Sequence, residues 1–157
     1  MTRFYDIDAA NAAVPELDGI VGVLAEQRAE LVRLRDEVLA AGTSAGDGAT
    51  TAVADRSSRP AAESSSETQA ADPPIVDDLR LTRLRMQGLI DQMAAGVARI
   101  DGLGLTLRDI EHGLVDFPAL VAGRQVWLCW QRGEPAIGFW HDLETGFSGR
   151  RPLAELA

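Results

Sequence analysis

The residues able to do chemistry in this chain gather in its last third. Asp109, Glu111, His112, Asp116, Arg124, Cys129, Glu134, His141, Asp142 and Arg150 all fall between positions 109 and 150. His112, Asp116, Cys129 and His141 are metal-ligand types. Their spacing matches no short signature, neither C-x-x-C nor H-E-x-x-H nor H-x-x-x-H, so no metal site is expected. Cys129 with His141 or His112 would have the composition of a nucleophile and its base. Arg124, Arg150 and Arg151 carry guanidinium forks that match carboxylate and phosphate, although exposed arginines more commonly solubilise or pair with nearby acids.

These residues must be positioned by strands. From residue 103 onward the chain switches to a period of two, and six of its eight aromatic residues lie between Phe117 and Phe147. Short strands are predicted at Leu105–Leu107, Leu114–Phe117, Gln125–Gln131 and Ala136–Asp142. Ala122-Gly123 supplies one turn, and Arg132-Gly133-Glu134-Pro135 a four-residue hairpin loop. That loop predicts a register. Gln131 pairs with Ala136, Trp130 with Ile137, Cys129 with Gly138, Leu128 with Phe139, and Trp127 with Trp140. Because side chains alternate across a sheet, one face would present Val126, Leu128, Trp130, Ile137 and Phe139, with His141 at its margin. This apolar face is expected against the helices. The other would present Trp127, Cys129, Gly138 and Trp140, either as a shallow aromatic-walled slot or as a surface packed on another subunit or on the C-terminal segment. Cys129 and His141 would point to opposite faces, which argues against a nucleophilic pair.

Two long helices are predicted upstream. In the first, over 14–41, Val14, Leu17, Val21, Leu24, Arg28, Leu31, Arg35 and Val38 are spaced alternately three and four apart, a seam of four heptads. Pro15 suits a first turn or a kink, so a short turn at Asp8–Ala13 is expected before it, with Asp6 and Asp8 favouring the helix dipole and Gly42 as C-cap. In the second, from Ile75 to Asp101, Val76, Leu79, Arg83, Met86, Ile90, Met93, Val97 and Ile100 repeat the spacing, and Gly102 closes it. Between them, residues 43–74 are almost entirely Ala, Ser, Thr, Gly, Asp, Glu and Pro, a composition that cannot offset its ordering entropy and reads as a flexible acidic linker. Within it, Gly42-Thr43-Ser44-Ala45-Gly46 formally matches G-x-S-x-G, but that elbow needs a strand before it and a helix after it, so the match is rejected. The expected fold class is α+β: a long antiparallel, coiled-coil-like helical hairpin (1–42 with its N-terminal turn, then 75–102), interrupted by the linker (43–74) and followed by a small antiparallel sheet (103–157), all one domain. Arg28, Arg35 and Arg83 interrupt the seams, as snorkelling edge residues or as a register device in an oligomer.

Composition bounds the function. The chain has 157 residues, 46% hydrophobic and 25% charged, which is the balance of a globular protein. All fifteen basic residues are arginine, which removes Schiff-base lysine chemistry and the phosphate-binding lysine of a P-loop. A net charge of −9 argues against nucleic acid or an anionic membrane as partner. One cysteine leaves no intramolecular disulfide and suits a reducing cytoplasm. No apolar run approaches the roughly 18 residues of a membrane span, and the N-terminal stretch, with three acids among its first sixteen residues, does not read as a signal peptide.

Several strings together resemble a known family. Gly113-Leu-Val-Asp-Phe-Pro118, Cys129-Trp-Gln-Arg-Gly-Glu134, Ile137-Gly-Phe-Trp-His141 and Gly146-Phe-Ser-Gly-Arg-Arg-Pro-Leu153 are similar to the uncharacterised prokaryotic family called domain of unknown function 2203. The opening, Phe4-Tyr-Asp-Ile-Asp-Ala-Ala-Asn-Ala-Ala-Val-Pro15, resembles that family's start, with Tyr5 and Asp6 in place of its usual capping threonine and neighbour. The resemblance covers roughly residues 4–41 and 76–153 and implies no reaction or cofactor. It does draw attention to Asp116, Glu134, His141 and Arg150, which turn geometry does not explain. Beside Trp127, Trp140 and Cys129 they would form either an ion-pair network holding the C-terminal segment to the sheet, which is the preferred reading, or a ligand site.

Two functions follow as expectations. The leading one is a non-enzymatic cytoplasmic protein whose helical hairpin self-associates or docks a protein partner, because the two seams expose more apolar stripe than a small sheet can cover. The alternative is a small-ligand-binding protein or enzyme in which His141 transfers protons and Arg150 clamps an anion.

Overall fold

The structure is a computed structural model describing residues 2–46 and 74–156. Helix α1 runs Ile7–Gly46, helix α2 Pro74–Gly102, and five strands follow: β1 Thr106–Asp109, β2 Leu114–Val121, β3 Arg124–Gln131, β4 Phe139–His141 and β5 Arg151–Pro152. The expected linker lies outside the described residues apart from Thr43–Gly46 and Pro74, which are helical.

Asp6 starts α1. Its Oδ1 accepts the Ala9 N–H at 2.7 Å, satisfying one of the free donors of a helix N-terminus. Helix therefore begins at Ile7 and passes through Pro15 without the separate turn expected at Asp8–Ala13. Pro15 lacks the N–H that would have donated to the Asn11 carbonyl. At the other end Gly42 does not cap, since helix continues to Gly46.

The helices form the expected antiparallel hairpin. Glu16 meets Arg99 at 2.6 Å, Gln27 meets Gln92 at 3.1 Å, and Glu30 meets Arg85 at 2.6 Å, so advancing along α1 moves backward along α2. Only the half of the hairpin nearest the sheet enters the main core. Ala10, Val14, Leu17, Val21 and Leu24 of α1 and Ile100 of α2 pack with Val115, Phe117, Ala119, Val126, Leu128, Trp130 and Trp140 of the sheet. The seam arginines Arg28 and Arg35 lie beyond Leu24, where Arg28 reaches Glu111 at 3.0 Å and Arg35 pairs with its neighbour Asp36.

All strands are antiparallel, in the order β1-β2-β3-β4-β5. Ala122 (φ 50°) and Gly123 (φ 76°) both occupy the left-handed region, the turn whose twist matches a two-residue hairpin, and it places Asp116 opposite Cys129. Tyr5 closes the edge of β2 where β1 has ended. Its N–H donates to the Pro118 carbonyl at 2.7 Å, its hydroxyl to the Leu103 carbonyl at 2.6 Å, and its ring meets Phe117 edge-on at 5.2 Å.

The register between β3 and β4 differs from the one predicted. Trp127 pairs with His141, Leu128 with Trp140 and Cys129 with Phe139, a slip of one residue. The connection runs from 132 to 138 and is not the four-residue loop expected. Glu134 ties it to the end of β3: its carboxylate accepts the Gln131 N–H at 2.8 Å and its carbonyl the Trp130 indole N–H at 2.9 Å. Ile137, expected opposite Trp130, instead donates its N–H to Oδ1 of Asn11 on α1 at 2.7 Å and buries its side chain in the core. Because side chains alternate, one residue of slip exchanges the faces of every residue in the strand. Trp140 joins Val126, Leu128 and Trp130 on the core face, whereas Phe139 and His141 join Trp127 and Cys129 on the outer face. The slot between two tryptophans does not form, and His141 is not on the apolar face.

Candidate functional site

The outer face carries the polar cluster. Asp116 on β2, Cys129 on β3 and His141 on β4 occupy neighbouring strands, and one ligand atom from each lies within 4.8 Å of the others. Cys129 and His141, expected on opposite faces, therefore stand together. The three are 1%, 2% and 1% exposed, an unusual degree of burial for an acid and an imidazole. The segment between β4 and β5 roofs them. Arg108, Leu114, Asp116, Cys129, His141, Leu143, Glu144, Gly146 and Phe147 enclose a cavity of about 280 Å³.

His141 is held by its neighbour's backbone, with Nδ1 lying 2.8 Å from the Asp142 carbonyl. A carbonyl only accepts, so Nδ1 carries the ring hydrogen and Nε2 of the neutral ring presents a lone pair. That Nε2 is fully buried and has no hydrogen-bond partner. It stands 3.1 Å from Oδ2 of Asp116 without the geometry of a hydrogen bond. Two lone-pair atoms this close, away from water, need a proton or a cation between them.

Asp116 also receives Nε of Arg108 on Oδ2 at 2.7 Å. Arg108 sits at an irregularity of β1, between residues 107 and 109, and its guanidinium lies 5.2 Å over the Trp127 ring. Burial, and after it the Asp116 charge, pushes the Cys129 thiol up to about 12, against a smaller opposing pull from Arg150. An uncoordinated Cys129 is therefore protonated at neutral pH and is a poor nucleophile. Coordination to a dication would reverse this, since a metal-bound thiol loses its proton outright.

The remaining sequence-derived candidates divide. Glu134 and Arg150 form a separate clamp beside the trio, with Nη2 of Arg150 2.7 Å from both Glu134 carboxylate oxygens and 3.4 Å from the Cys129 carbonyl. The Arg150 guanidinium also lies 4.1 Å from Phe139 and 4.9 Å from Phe147. Trp140 is in the core. Arg124 and Arg151 both face Asp142, at 3.3 and 3.8 Å, so they do not converge with Arg150 on one anion. His112 pairs with Asp109 at 3.0 Å in the exposed β1–β2 turn, apart from the cavity. Sequence reasoning missed Arg108 and Asn11. Neither belongs to a motif of its own, although Asn11 lies inside the opening string.

A family profile described as "Uncharacterized conserved protein (DUF2203)" matches residues 3–153. The chain belongs to the DUF2203 family. No curated protein and no solved structure matches it. The matched span of this DUF2203 protein takes in the whole sheet, the trio, and the Glu134–Arg150 clamp. Among the described residues, no helix of the DUF2203 chain is long and apolar enough to cross a membrane.

Proposed function

We propose that this DUF2203 protein binds a divalent transition metal of the zinc class through Asp116, Cys129 and His141, and presents it to a small ligand in the adjoining cavity. The observation carrying this reading is the buried, unpartnered Nε2 of His141 facing a carboxylate oxygen and a thiol. A metal-bound histidine characteristically donates its other ring N–H to a carbonyl or carboxylate, and the Asp142 carbonyl fills that role here. Tetrahedral zinc with bonds of about 2.0–2.3 Å separates its ligand atoms by roughly 3.3–3.8 Å. The 3.1 Å between Nε2 and Oδ2 and the 4.8 Å that bounds the trio bracket that range. Three protein ligands and an open fourth position make a site that polarises a ligand atom or activates a water, in contrast to a closed four-ligand structural site.

Zinc or cobalt titration of metal-stripped protein, read by native mass spectrometry, tests the reading. One ion per chain is expected, lost in Cys129→Ala and in His141→Ala. Folded wild-type protein that takes up neither ion would reduce the trio to a buried ion pair with a charged His141.

A second reading concerns the far half of the hairpin, which lies outside the main core. Leu81 and Leu84, one turn apart on α2, are both more than 60% exposed, which supports docking of another protein or of a second copy. Leu81→Glu with Leu84→Glu leaves the core untouched. If the reading holds, a mass above the monomer seen by light scattering falls to the monomer in this variant; a wild-type monomer removes self-association.

A further inference from the structure

We propose that the small ligand completing the metal site is a carboxylate with a short apolar tail, held between the metal and Arg108; this rests on the metal-binding reading above. Arg108 spends Nε on Asp116, while its two terminal nitrogens make no hydrogen bond among the described residues, and the side chain lines the cavity. The residue is thus fixed by one ligand of the metal with donors to spare for an incoming acceptor. Charge favours an anion. A dication coordinated by the Asp116 carboxylate, the Cys129 thiolate and a neutral His141 is electrically balanced, which leaves the Arg108 cation uncompensated beside an open coordination position.

The walls then select among anions. Glu144 is the other acid at the cavity, and it is exposed. The rest of the lining includes Leu114, Leu143 and Phe147, which offer apolar surface to a hydrocarbon tail and no further donors to the oxygens of a phosphate. The cavity of about 280 Å³ holds roughly nine waters' volume at ~30 Å³ each, suited to a ligand of a few carbons. One carboxylate oxygen on the metal and the other toward Arg108 would place the tail against Leu143 and Phe147.

Cobalt-loaded full-length protein tests this directly, because its visible bands report the open coordination position. Butyrate is expected to change those bands saturably, at lower concentration than acetate, and inorganic phosphate to need more than either. Arg108→Gln, itself saturated with cobalt, is expected to bind butyrate about tenfold more weakly, the size of a lost charge-assisted contact. Arg108→Lys, which keeps the charge and loses the fork, is expected to fall between. If the protein takes up no cobalt, the metal reading fails and this proposal fails with it. If cobalt binds but butyrate leaves the bands unchanged, phosphate binds more tightly, or Arg108→Gln responds like wild type, the carboxylate proposal alone is overturned.

Discussion

Metal binding at a site this enclosed must be visible in stability, and its size can be worked out. Asp116, Cys129 and His141 are each at most 2% exposed, and an unfolded chain cannot hold them together. Zinc at a hundred times its dissociation constant therefore stabilises the fold by about 2.7 kcal/mol. For a domain of this size about 4 °C accompanies each kcal/mol, so the melting temperature should rise by roughly 11 °C between chelator and saturating zinc. Cys129→Ser keeps the shape of the side chain and places a hydroxyl beside Asp116 but loses the thiolate. If affinity falls a hundredfold, the same zinc concentration half-fills the site and contributes about 0.4 kcal/mol, under 2 °C. In chelator the variant should melt within a few degrees of wild type, because a buried thiol is only a weak hydrogen-bonding group. Scanning calorimetry of both proteins with zinc and with chelator gives all four values. Equal zinc shifts in wild type and Cys129→Ser, or no shift in either, would refute the assignment of Cys129 as a ligand.

Asn11→Ala should cost about 1–2 kcal/mol in urea unfolding, because it strands the partly buried Ile137 N–H that sets the β3–β4 connection; a variant as stable as wild type would remove Asn11 as the cause of the register. Gly88→Ala, with nothing within 4 Å of the new methyl, should gain up to about 1 kcal/mol of helix propensity. Gly96→Ala, whose methyl would meet Leu24 at 2.8 Å, should lose that gain or destabilise; equal effects from the two would show that the helices are not in close contact at Gly96. In an NMR titration His112 should show a midpoint above its ordinary value of about 6.5, because Asp109 accepts its ring N–H and adds an opposing charge. Its small stabilising contribution is complete below the unfolded value and disappears as pH rises through the folded one; an unchanged midpoint in Asp109→Asn would refute the pairing.

Much of the architecture was legible from local patterns because local interactions cause it. The three-four spacing of Leu17, Val21 and Leu24, and of Met93, Val97 and Ile100, specifies helices with one apolar stripe each, and burying two stripes leads to a hairpin. Ala122-Gly123 specifies a two-residue turn, and that turn alone sets Asp116 opposite Cys129. The residues of the trio were all recognisable as candidates by type.

What local pattern did not decide is the face His141 occupies. Its position depends on how many residues the β3–β4 connection consumes, and that number is settled by a contact distant in sequence, Asn11 of α1 capturing the Ile137 N–H, acting together with the local folding of Glu134 back onto Trp130 and Gln131. With a period of two, a single residue of slack converts an aromatic slot into a Trp140 core residue and brings His141 beside Cys129. The spacings of thirteen and twelve residues within the trio match no short motif because the three side chains meet across strands and not along one. Sequence determined the helices, the strands and the inventory of reactive groups, since propensity and periodicity act between near neighbours. Only the tertiary structure decided which of those groups share a cavity, because that is set by strand register, and register is fixed by the packing of α1 against the sheet.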